Sequence, residues 1–582
     1  MPRLTPAKHT PRRVAGLCVF CLTFAYSVTS LGQSAILEGE RFHPQVGEHG
    51  MVATSHYLAS QIAHEVLEEG GNAVDAAVTA GFALAVTQPR SGNIGGGGFM
   101  LISDEKSDKV IAIDYREKAP AAAYETMFQN EQGEAVSELS RYTHNASGVP
   151  GTVAGLALAL DQYGTMTLAE ALAPAIKLAD EGFIIPPRFA EGLEQSQDRL
   201  KQWDSTRKVF YKPDASLYRA GERFRQPDLA ATLERIAENG PREFYEGETA
   251  RLITAEMQNH GGLMTAQDLA GYQPTIREPV HGNYRGFDVY AMSPPSSGGA
   301  HIVQMLNILE GYDIDAMGFN SARTIHVMSE AMKRAYADRA EYLGDTDFVD
   351  VPLEGITSKA YAEELRGQID LDRATPSSEI AAGDPLPYES NETTHFSIAD
   401  DSGLAVSNTY TINFSYGSGI VVDGAGFLLN NEMDDFSAKP GTPNAYGLIG
   451  GEANKIEPEK RMLSSMTPTI VKKDGRNFLV TGSPGGSRII TTTLQVVMNV
   501  IDHGMNIQSA VSAPRIHDQW LPDEIRIEDG ISPDTIALLE AMGHKISQQE
   551  AMGAAQSILI EDDGTFTGGA DPRRSTSSAM GI

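Results

Sequence analysis

Cysteine is almost absent from this chain of 582 residues, since Cys18 and Cys21 are the only two. Both lie in an apolar run from Val14 to about Val28, which follows a basic start and precedes small residues. This order is typical of a secretory signal peptide, and the run is shorter than the ~20 residues of a membrane span. We therefore predict a signal peptide over residues 1–35, with an uncleaved anchor as the alternative. The mature protein then has no membrane span, disulfide, thiolate metal site or cysteine nucleophile.

Basic residues are also scarce. The chain has 46 Lys and Arg residues against 77 Asp and Glu residues, which gives a formal net charge of −31 at pH 7. An acidic surface repels the phosphates of nucleic acids and of anionic membranes. The composition therefore argues against a nucleic-acid partner, and its 41% of hydrophobic residues indicates a folded globular protein.

Motifs for metal and nucleotide chemistry are missing as well. The 14 histidines include no H-E-x-x-H pair, and no G-x-S-x-G sequence provides a serine elbow. The glycine run Gly95–Gly98 lacks the G-K-[ST] ending of a phosphate loop and leads into an apolar, strand-like segment. The sequence therefore implies no metal and no cofactor.

The apolar pattern divides the chain into a helical and a strand-rich part. Helical periodicity covers most of residues 160–390, whereas strands separated by turns such as Asp400–Gly403 are expected from Thr393 onward. The polar residues 374–392, with their prolines and glycine, predict an exposed connector, so the main division falls at its end. The fold class is α/β, with helices on the faces of a multistranded sheet.

The end of the connector is the most unusual place for chemistry. Glu392 directly precedes Thr393, Thr394 and His395 at the start of a predicted strand. If the chain is cut before Thr393, that residue carries a hydroxyl and a free α-amine, whose reference pKa of ~7.7–8.0 suits a built-in base. From spacing alone, a threonine pair that begins a β-strand is the simpler interpretation.

Several motifs resemble those of the γ-glutamyltranspeptidases. The upstream motifs are GGNAVDAAV at 70–78, GGGGFML at 95–101, DYREKAP at 114–120 and PPSSGG at 294–299. The downstream motifs are TTHFS at 393–397, NTYTIN at 408–413, LLNNEMDDF at 428–436, LSSM at 463–466 and TGSPGGS at 481–487. The resemblance extends from about residue 45 to Arg573, nearly the whole mature chain.

This resemblance implies an N-terminal nucleophile hydrolase with an αββα sandwich. Such a protein is made as one precursor that cuts itself, here between Glu392 and Thr393, into a large subunit (36–392) and a small subunit (393–582) that form a heterodimer. By the same resemblance, Thr393 is the nucleophile and Thr411 positions it. Backbone N–H groups of Gly485 and Gly486 form the oxyanion hole, since glycine leaves room for close approach.

The resemblance also implies a pocket that binds a zwitterion, namely the α-carboxylate and the α-ammonium of a glutamyl group. The residues that match the binding positions for the glutamyl α-carboxylate are Arg116, Ser464 and Ser465. Those that match the positions for the α-ammonium are Asn413, Glu432 and Asp435. The proline- and glycine-rich residues 439–447 resemble a lid, with Tyr446 as its gate.

The implied activity is transfer of the γ-glutamyl group of glutathione and other γ-glutamyl compounds to water, amino acids or short peptides. The implied location is the periplasm or the medium. One alternative is a cephalosporin (glutaryl) acylase of the same fold, although its substrate has no α-ammonium for Asn413 and Asp435 to bind. The other is a non-catalytic binder of γ-glutamyl compounds that is never cleaved.

Overall fold

The structure, a computed structural model, describes residues 43–381, 393–442 and 448–582. The predicted signal peptide, Glu392 and Tyr446 lie outside the described residues. Within them, no helix combines the length and the apolar character that crossing a membrane requires.

The described residues form strands and α-helices along their whole length. The strands are β1 (Gln45–Gly47), β2 (Gly50–Thr54), β3 (Gly97–Asp104), β4 (Lys109–Asp114), β5 (Phe183–Ile184), β6 (Arg223–Phe224), β7 (Thr275–Arg277), β8 (Val280–Tyr284), β9 (Phe287–Ala291), β10 (Thr394–Asp400), β11 (Leu404–Thr411), β12 (Thr469–Lys473), β13 (Arg476–Thr481), β14 (Ile516–His517), β15 (Ile525–Ile527), β16 (Ile546–Gln548), β17 (Gln556–Ile560), β18 (Phe566–Ala570) and β19 (Ser578–Gly581). The helices are α1 (Tyr57–Glu68), α2 (Ala73–Thr87), α3 (Ser137–Tyr142), α4 (Thr152–Tyr163), α5 (Leu168–Glu181), α6 (Pro187–Leu200), α7 (Asp204–Phe210), α8 (Pro227–Asn239), α9 (Arg242–Glu246), α10 (Glu248–His260), α11 (Ala266–Gly271), α12 (Gly298–Leu309), α13 (Ile314–Met317), α14 (Ala322–Tyr342), α15 (Leu353–Ile356), α16 (Lys359–Gly367), α17 (Arg488–Ile501), α18 (Ile507–Ser512) and α19 (Pro533–Ala541).

Two seven-stranded antiparallel sheets stack face to face. The first sheet has the strand order β19-β2-β10-β11-β3-β4-β7, and the second has the order β1-β18-β17-β13-β12-β9-β8. Alternate residues of each strand point into the space between the sheets, as the two-residue period of a strand requires. Phe99 and Leu101 of the first sheet meet Ile470, Val480 and Ile558 of the second in this inner layer.

Helices cover the outer face of each sheet. The first sheet is covered by α1, α2 and α4, and the second by α12, α17 and α18. All fifteen residues of α2 are buried, because it lies between the sheet and other helices. This burial explains why its sequence is apolar on nearly every face. The four layers form the αββα sandwich that the resemblance implies.

The segment predicted to be mostly helical also contributes strands. Within residues 160–390, β8 and β9 form a hairpin around Arg285 and Gly286 and join the edge of the second sheet. The helical prediction missed this hairpin, although Val280, Tyr284, Phe287 and Val289 are the β-branched and aromatic residues that strands favour.

The two segments on either side of the connector share both sheets. In the first sheet, β10 pairs with β2, and β11 pairs with β3. In the second sheet, β12 pairs with β9, and β18 pairs with β1. The described residues therefore form one compact unit, to which both predicted subunits contribute strands of each sheet.

Candidate active site

A pocket that opens to solvent, with about 320 Å³ of empty space including its mouth, lies where β10 begins and β11 ends. Its polar lining is formed by Arg116, Arg339, Thr393, Thr411, Asn413, Glu432, Asp435, Ser464, Ser465, Gly486 and Ser487. The apolar lining consists of Leu448, Leu463, Met466 and Ile489. Residues that the sequence separates by more than 300 positions thus meet in one pocket.

The hairpin of β10 and β11 brings the two threonines together. Thr394 pairs with Tyr410 in the antiparallel ladder, so Thr393 and Thr411 extend it by one residue on each strand. Both side chains are buried. The hydroxyl oxygen of Thr411 accepts a hydrogen bond from the backbone N–H of Asn413 (2.8 Å), and the carbonyl oxygen of Thr393 accepts one from Arg574 (2.9 Å).

The predicted oxyanion glycines form a tight turn before α17. Gly485 has φ of +138° and Gly486 has φ of +57°, conformations in which a side chain is strained. Gly486 lines the pocket that contains Thr393, whereas Gly485 lines a neighbouring cleft. The turn therefore lies at the border of two neighbouring cavities.

Arg116 lies at the centre of a buried ionic cluster. Its Nη1 is 2.7 Å from Glu432 Oε2, its Nη2 is 2.5 Å from Asp435 Oδ2, and Nη1 is 3.6 Å from Glu117 Oε2. Glu432 and Asp435 belong to one turn of 3₁₀ helix. The family resemblance assigns Arg116 to one end of the substrate and these acids to the other, but in the structure they contact one another directly.

Burial sets the protonation of this cluster. Burial alone would lower the pKa of Arg116, but the three carboxylates around it raise that pKa above its ordinary value. Burial raises the pKa of Glu432 well above its ordinary value, and that of Asp435 is raised although Arg116 opposes the change. Burial also raises the pKa of Glu117 to about 8. Carboxylates in this state are stabilised as anions by an added cation.

The two serines are held by the turn that contains the PPSSGG motif. The backbone N–H of Ser464 donates to the carbonyl oxygen of Pro295 (2.8 Å), and the N–H and hydroxyl of Ser297 both donate to the carbonyl oxygen of Ser464 (2.8 Å each). Asn413 has φ of +72° and donates from its side chain to the carbonyl oxygen of Asn431 (3.0 Å).

Comparison with known proteins decides the family. The family model described as Gamma-glutamyltranspeptidase matches residues 59–581. The chain belongs to the γ-glutamyltranspeptidase family. The resemblance based on motifs is thereby confirmed.

Relatives within the γ-glutamyltranspeptidase family extend this result. The "Glutathione hydrolase proenzyme" of Escherichia coli (strain K12) is 55% identical over 538 residues, 92% of this chain and 92% of the relative. The "Acylase ACY 1 proenzyme" of Pseudomonas sp. (strain SE83) is 38% identical over 535 residues, 90% of this chain and 92% of the relative. The crystal structure of cephalosporin acylase from Bacillus halodurans matches with a TM-score of 0.83 at 30% identity, covering 96% of this chain and 99% of that one. The predicted N-terminal nucleophile hydrolase fold is confirmed.

Sequence reasoning missed Arg339 in this γ-glutamyltranspeptidase pocket. Its guanidinium donates to Ser297 Oγ (2.9 Å) and to Ser465 Oγ (3.1 Å), and burial lowers its pKa to about 10. A signal was present in the sequence, because Arg339 lies on the same face of α14 as the buried Met328, Met332 and Ala335.

Glu117 was also missed. It is fully buried beside Arg116, and neither of its side-chain oxygens has a hydrogen-bond partner among the described residues. The charged residues around it in the DYREKAP motif are typical of an exposed segment, so the sequence did not indicate this burial.

Within the part of the chain that the structure describes, two groups of His and Glu side chains lie close enough to hold a metal ion. They are His144, Glu256 and His260, and His326, Glu330 and His544. None of these residues lines the pocket around Thr393. In the second group, His326 Nδ1 is 2.7 Å from His544 Nε2, so the two rings share a hydrogen bond. Spacing in the sequence did not indicate either group, and the absence of a metal requirement stays a prediction.

Proposed function

We propose that this protein is a γ-glutamyltranspeptidase and glutathione hydrolase with Thr393 as its nucleophile. The observation that carries the proposal is that Thr393 and Thr411 share one pocket with Arg116 and Asp435. The nucleophile Thr393, positioned by Thr411, suits a substrate with a reactive acyl group at one end. The ion pair of Arg116 with Asp435 suits a zwitterion at the other end. The E. coli relative that is 55% identical is named a glutathione hydrolase proenzyme.

Maturation is a cut between Glu392 and Thr393. The Thr393 hydroxyl adds to the carbonyl carbon of Glu392, the peptide C–N bond breaks, and the acyl group moves to oxygen. The released nitrogen takes up the proton and becomes the α-amine of Thr393. Water then hydrolyses the ester, which frees the hydroxyl and leaves residues 36–392 and 393–582 as two associated chains.

The pocket binds the glutamyl group by its two charges. Arg116, Ser464 and Ser465 bind the α-carboxylate, for which a guanidinium fork and hydroxyl donors are suited. The α-ammonium is bound by Asn413, Glu432 and Asp435. The raised pKa values of the two acids support this assignment, because a bound ammonium supplies the positive charge that stabilises buried carboxylates. The family resemblance assigns residues 439–447 to a lid with Tyr446 as its gate, and this assignment stays a prediction.

Catalysis then consists of two acyl-transfer steps, which are formation of an ester on Thr393 and its transfer to the acceptor. Thr393 Oγ attacks the γ-carbonyl carbon of the donor, and the α-amine of Thr393 takes the hydroxyl proton and passes it to the leaving amine. Thr411 holds the hydroxyl in position. The backbone N–H groups of Gly485 and Gly486 stabilise the oxyanion, and one such donor is worth ~2.7–4 kcal/mol. Water, an amino acid or a short peptide then accepts the γ-glutamyl group from the Thr393 ester, without any metal or organic cofactor.

A glutaryl acylase is the second function to test, because acylases occur among the relatives. Glutaryl and γ-glutamyl groups differ only in the α-ammonium, for which Asn413 and Asp435 provide acceptors. We therefore expect a γ-glutamyl amide to be used far better than the matched glutaryl amide. The basic, apolar and small-residue order of the first 35 residues supports export to the periplasm or medium.

The decisive experiment is intact mass and N-terminal sequencing of the purified exported protein, followed by a γ-glutamyl amide assay. Two chains, with the smaller one beginning at Thr393, are expected. Thr393→Ala is expected to give one uncut, inactive chain, whereas the exposed-site control Thr126→Ala is expected to mature normally. An uncut wild-type chain, or a normal cut in Thr393→Ala, contradicts the proposal.

A further inference from the structure

A second and larger cavity lies on the other side of the glycine turn. It has about 1340 Å³ of empty space and is lined by Gly485 and by five arginines. We call it the arginine cleft, and its arginines are Arg90, Arg188, Arg488, Arg573 and Arg574. Among the described residues, Glu550 is the only acid that lines it. Such a concentration of positive charge stands out in a chain with a net charge of −31.

The arginines come from distant parts of the chain, so the fold assembles the cleft. Arg90 follows α2, Arg188 lies in the first turn of α6, and Arg488 begins α17. Arg573 and Arg574 precede β19. The cleft therefore combines segments from both sides of the connector, as the pocket around Thr393 does.

Electrostatics favour an anionic ligand in the cleft. Arg573 is balanced within the protein by Glu528 and Asp571. Burial and, to a smaller extent, the positive charge of Arg188 lower the pKa of Arg574 to about 10, although Asp571 opposes the change. Burial likewise lowers the pKa of Arg90 to about 9, with a contribution from Arg574. These arginines are close enough to repel one another, and carboxylates bound between them relieve that repulsion.

The cleft is adjacent to the reacting centre. Gly485 lines the cleft and the next residue, Gly486, lines the pocket of Thr393. Arg574 Nη2 donates to the carbonyl oxygen of Thr393 (2.9 Å). A guanidinium group of the cleft therefore contacts the residue that would carry the ester.

We propose that the arginine cleft binds the carboxylates of an acidic peptide that accepts the γ-glutamyl group. This inference rests on the proposed function. Guanidinium groups bind carboxylates through paired hydrogen bonds, and several guanidinium groups in one cleft suit a peptide with more than one carboxylate. In the transfer step, the peptide's α-amine attacks the ester carbonyl carbon and a C–N bond forms. The bond from that carbon to Thr393 Oγ breaks, and the proton lost by the amine returns to Thr393 Oγ.

The test compares two acceptors of nearly the same size that differ in side-chain charge, Gly-Glu-Glu and Gly-Gln-Gln, with one γ-glutamyl donor. Wild-type protein is expected to use the acidic peptide with the higher kcat/KM, and added salt is expected to reduce that preference because it screens exposed charges. Arg188 is exposed, so its replacement leaves the core intact. Arg188→Gln is expected to lower the preference by about fivefold, and Arg188→Glu by more, since a partly exposed charge pair is weak but measurable.

Arg323→Gln is the matched control, because it removes an exposed positive charge from the first turn of α14, outside the cleft. It is expected to keep the wild-type preference. Equal use of the two peptides by wild type, or an unchanged preference in both Arg188 variants, overturns the inference. An acidic peptide that inhibits hydrolysis without accepting the γ-glutamyl group also overturns it.

Hydrolysis of the donor is also measured without any acceptor. This measurement distinguishes failure of the inference about the arginine cleft from failure of the proposed function. Normal hydrolysis without an acidic preference refutes the arginine cleft as an acceptor site and leaves the proposed function standing. If correctly folded wild-type protein does not hydrolyse the donor, both the inference about the arginine cleft and the proposed function are refuted.

Discussion

The negative charge of Asp435 is expected to give the pocket its specificity for a substrate with an α-ammonium group. Its carboxylate contacts Arg116 and lines the pocket, and we assign it to the substrate ammonium. Asp435→Asn keeps the size of the side chain and removes the charge. We expect normal maturation and a KM for a γ-glutamyl amide raised by roughly tenfold or more, because a hydrogen bond to a charged group contributes ~1.5–3 kcal/mol.

The neighbouring Asp434 provides the control for this change. Its carboxylate accepts a hydrogen bond from Ser140 (2.5 Å), and it does not line the pocket. Steady-state kinetics of Asp434→Asn should give a KM close to that of wild type. If both asparagine variants bind the donor equally well, Asp435 is not the ammonium partner.

Single residues also show where sequence reasoning stops. The motifs were sufficient to single out Thr393, Arg116 and Asp435 as pocket residues, because each stands in a recognisable local pattern. The direct contact between Arg116 and Asp435 could not be foreseen, since it joins positions 319 residues apart. Arg339 was missed because a cation on a mostly apolar helix face has no motif of its own.

At the scale of elements, the glycine turn before α17 combines backbone strain with a catalytic assignment. Gly486 has φ of +57°, so alanine there is strained, and Gly486 lines the pocket that contains Thr393. We expect Gly486→Ala to lower kcat by about 10²–10³-fold, the usual effect of losing an oxyanion donor. Its loss of thermal stability is expected to be small by comparison.

Gly475→Ala separates strain from catalysis. Gly475 has φ of +79° in the turn between β12 and β13, and a Cβ there meets no atom within 4 Å. This control carries a comparable backbone cost far from the chemistry. Thermal melts and kcat of both variants should show similar losses of stability but a loss of kcat only for Gly486→Ala. A matching fall in kcat for the control would attribute the effect to strain.

Local sequence patterns predicted individual helices and turns better than they predicted which strands pair with each other. The Asp400–Gly403 turn lies between β10 and β11, as the sequence indicated. The α5 and α14 helices likewise follow their apolar periodicity. The order of strands within each sheet is set by contacts between residues hundreds of positions apart, so no local signal specifies it.

For the whole molecule, the shared sheets determine what happens after cleavage. Strands from residues 43–381 pair with strands from residues 393–582 at three places in the first sheet and at two in the second, so separating the two chains breaks sheet hydrogen bonds and exposes the inner layer. We expect the cut chains to stay together as a heterodimer in native mass spectrometry and to separate only in denaturant. Free large or small chains under native conditions would contradict this.

Acid sensitivity is the second property of the whole molecule. Burial lowers the pKa of five histidines to about 3 or 4, namely His56, His301, His395, His517 and His544. The unfolded chain takes up these protons near pH 6.5. Their contribution to stability is therefore complete above pH 6.5 and is lost as the pH falls towards 3. Glu117 and Asp518 act in the opposite direction, because burial raises their pKa values to about 8 and about 7.

Because the two groups oppose each other, one histidine has to be tested by difference. His395 lies within β10, and its ring nitrogens contact Thr409 Oγ1 (2.8 Å) and Ser397 Oγ (3.1 Å), contacts that glutamine can replace. At pH 5, keeping a histidine with a pKa of about 3 neutral costs ~2 kcal/mol. We expect His395→Gln to be less stable than wild type at pH 7.5 and to lose part or all of that deficit at pH 5, measured by thermal melts. A deficit that is constant between the two pH values would mean that His395 is protonated in the folded protein.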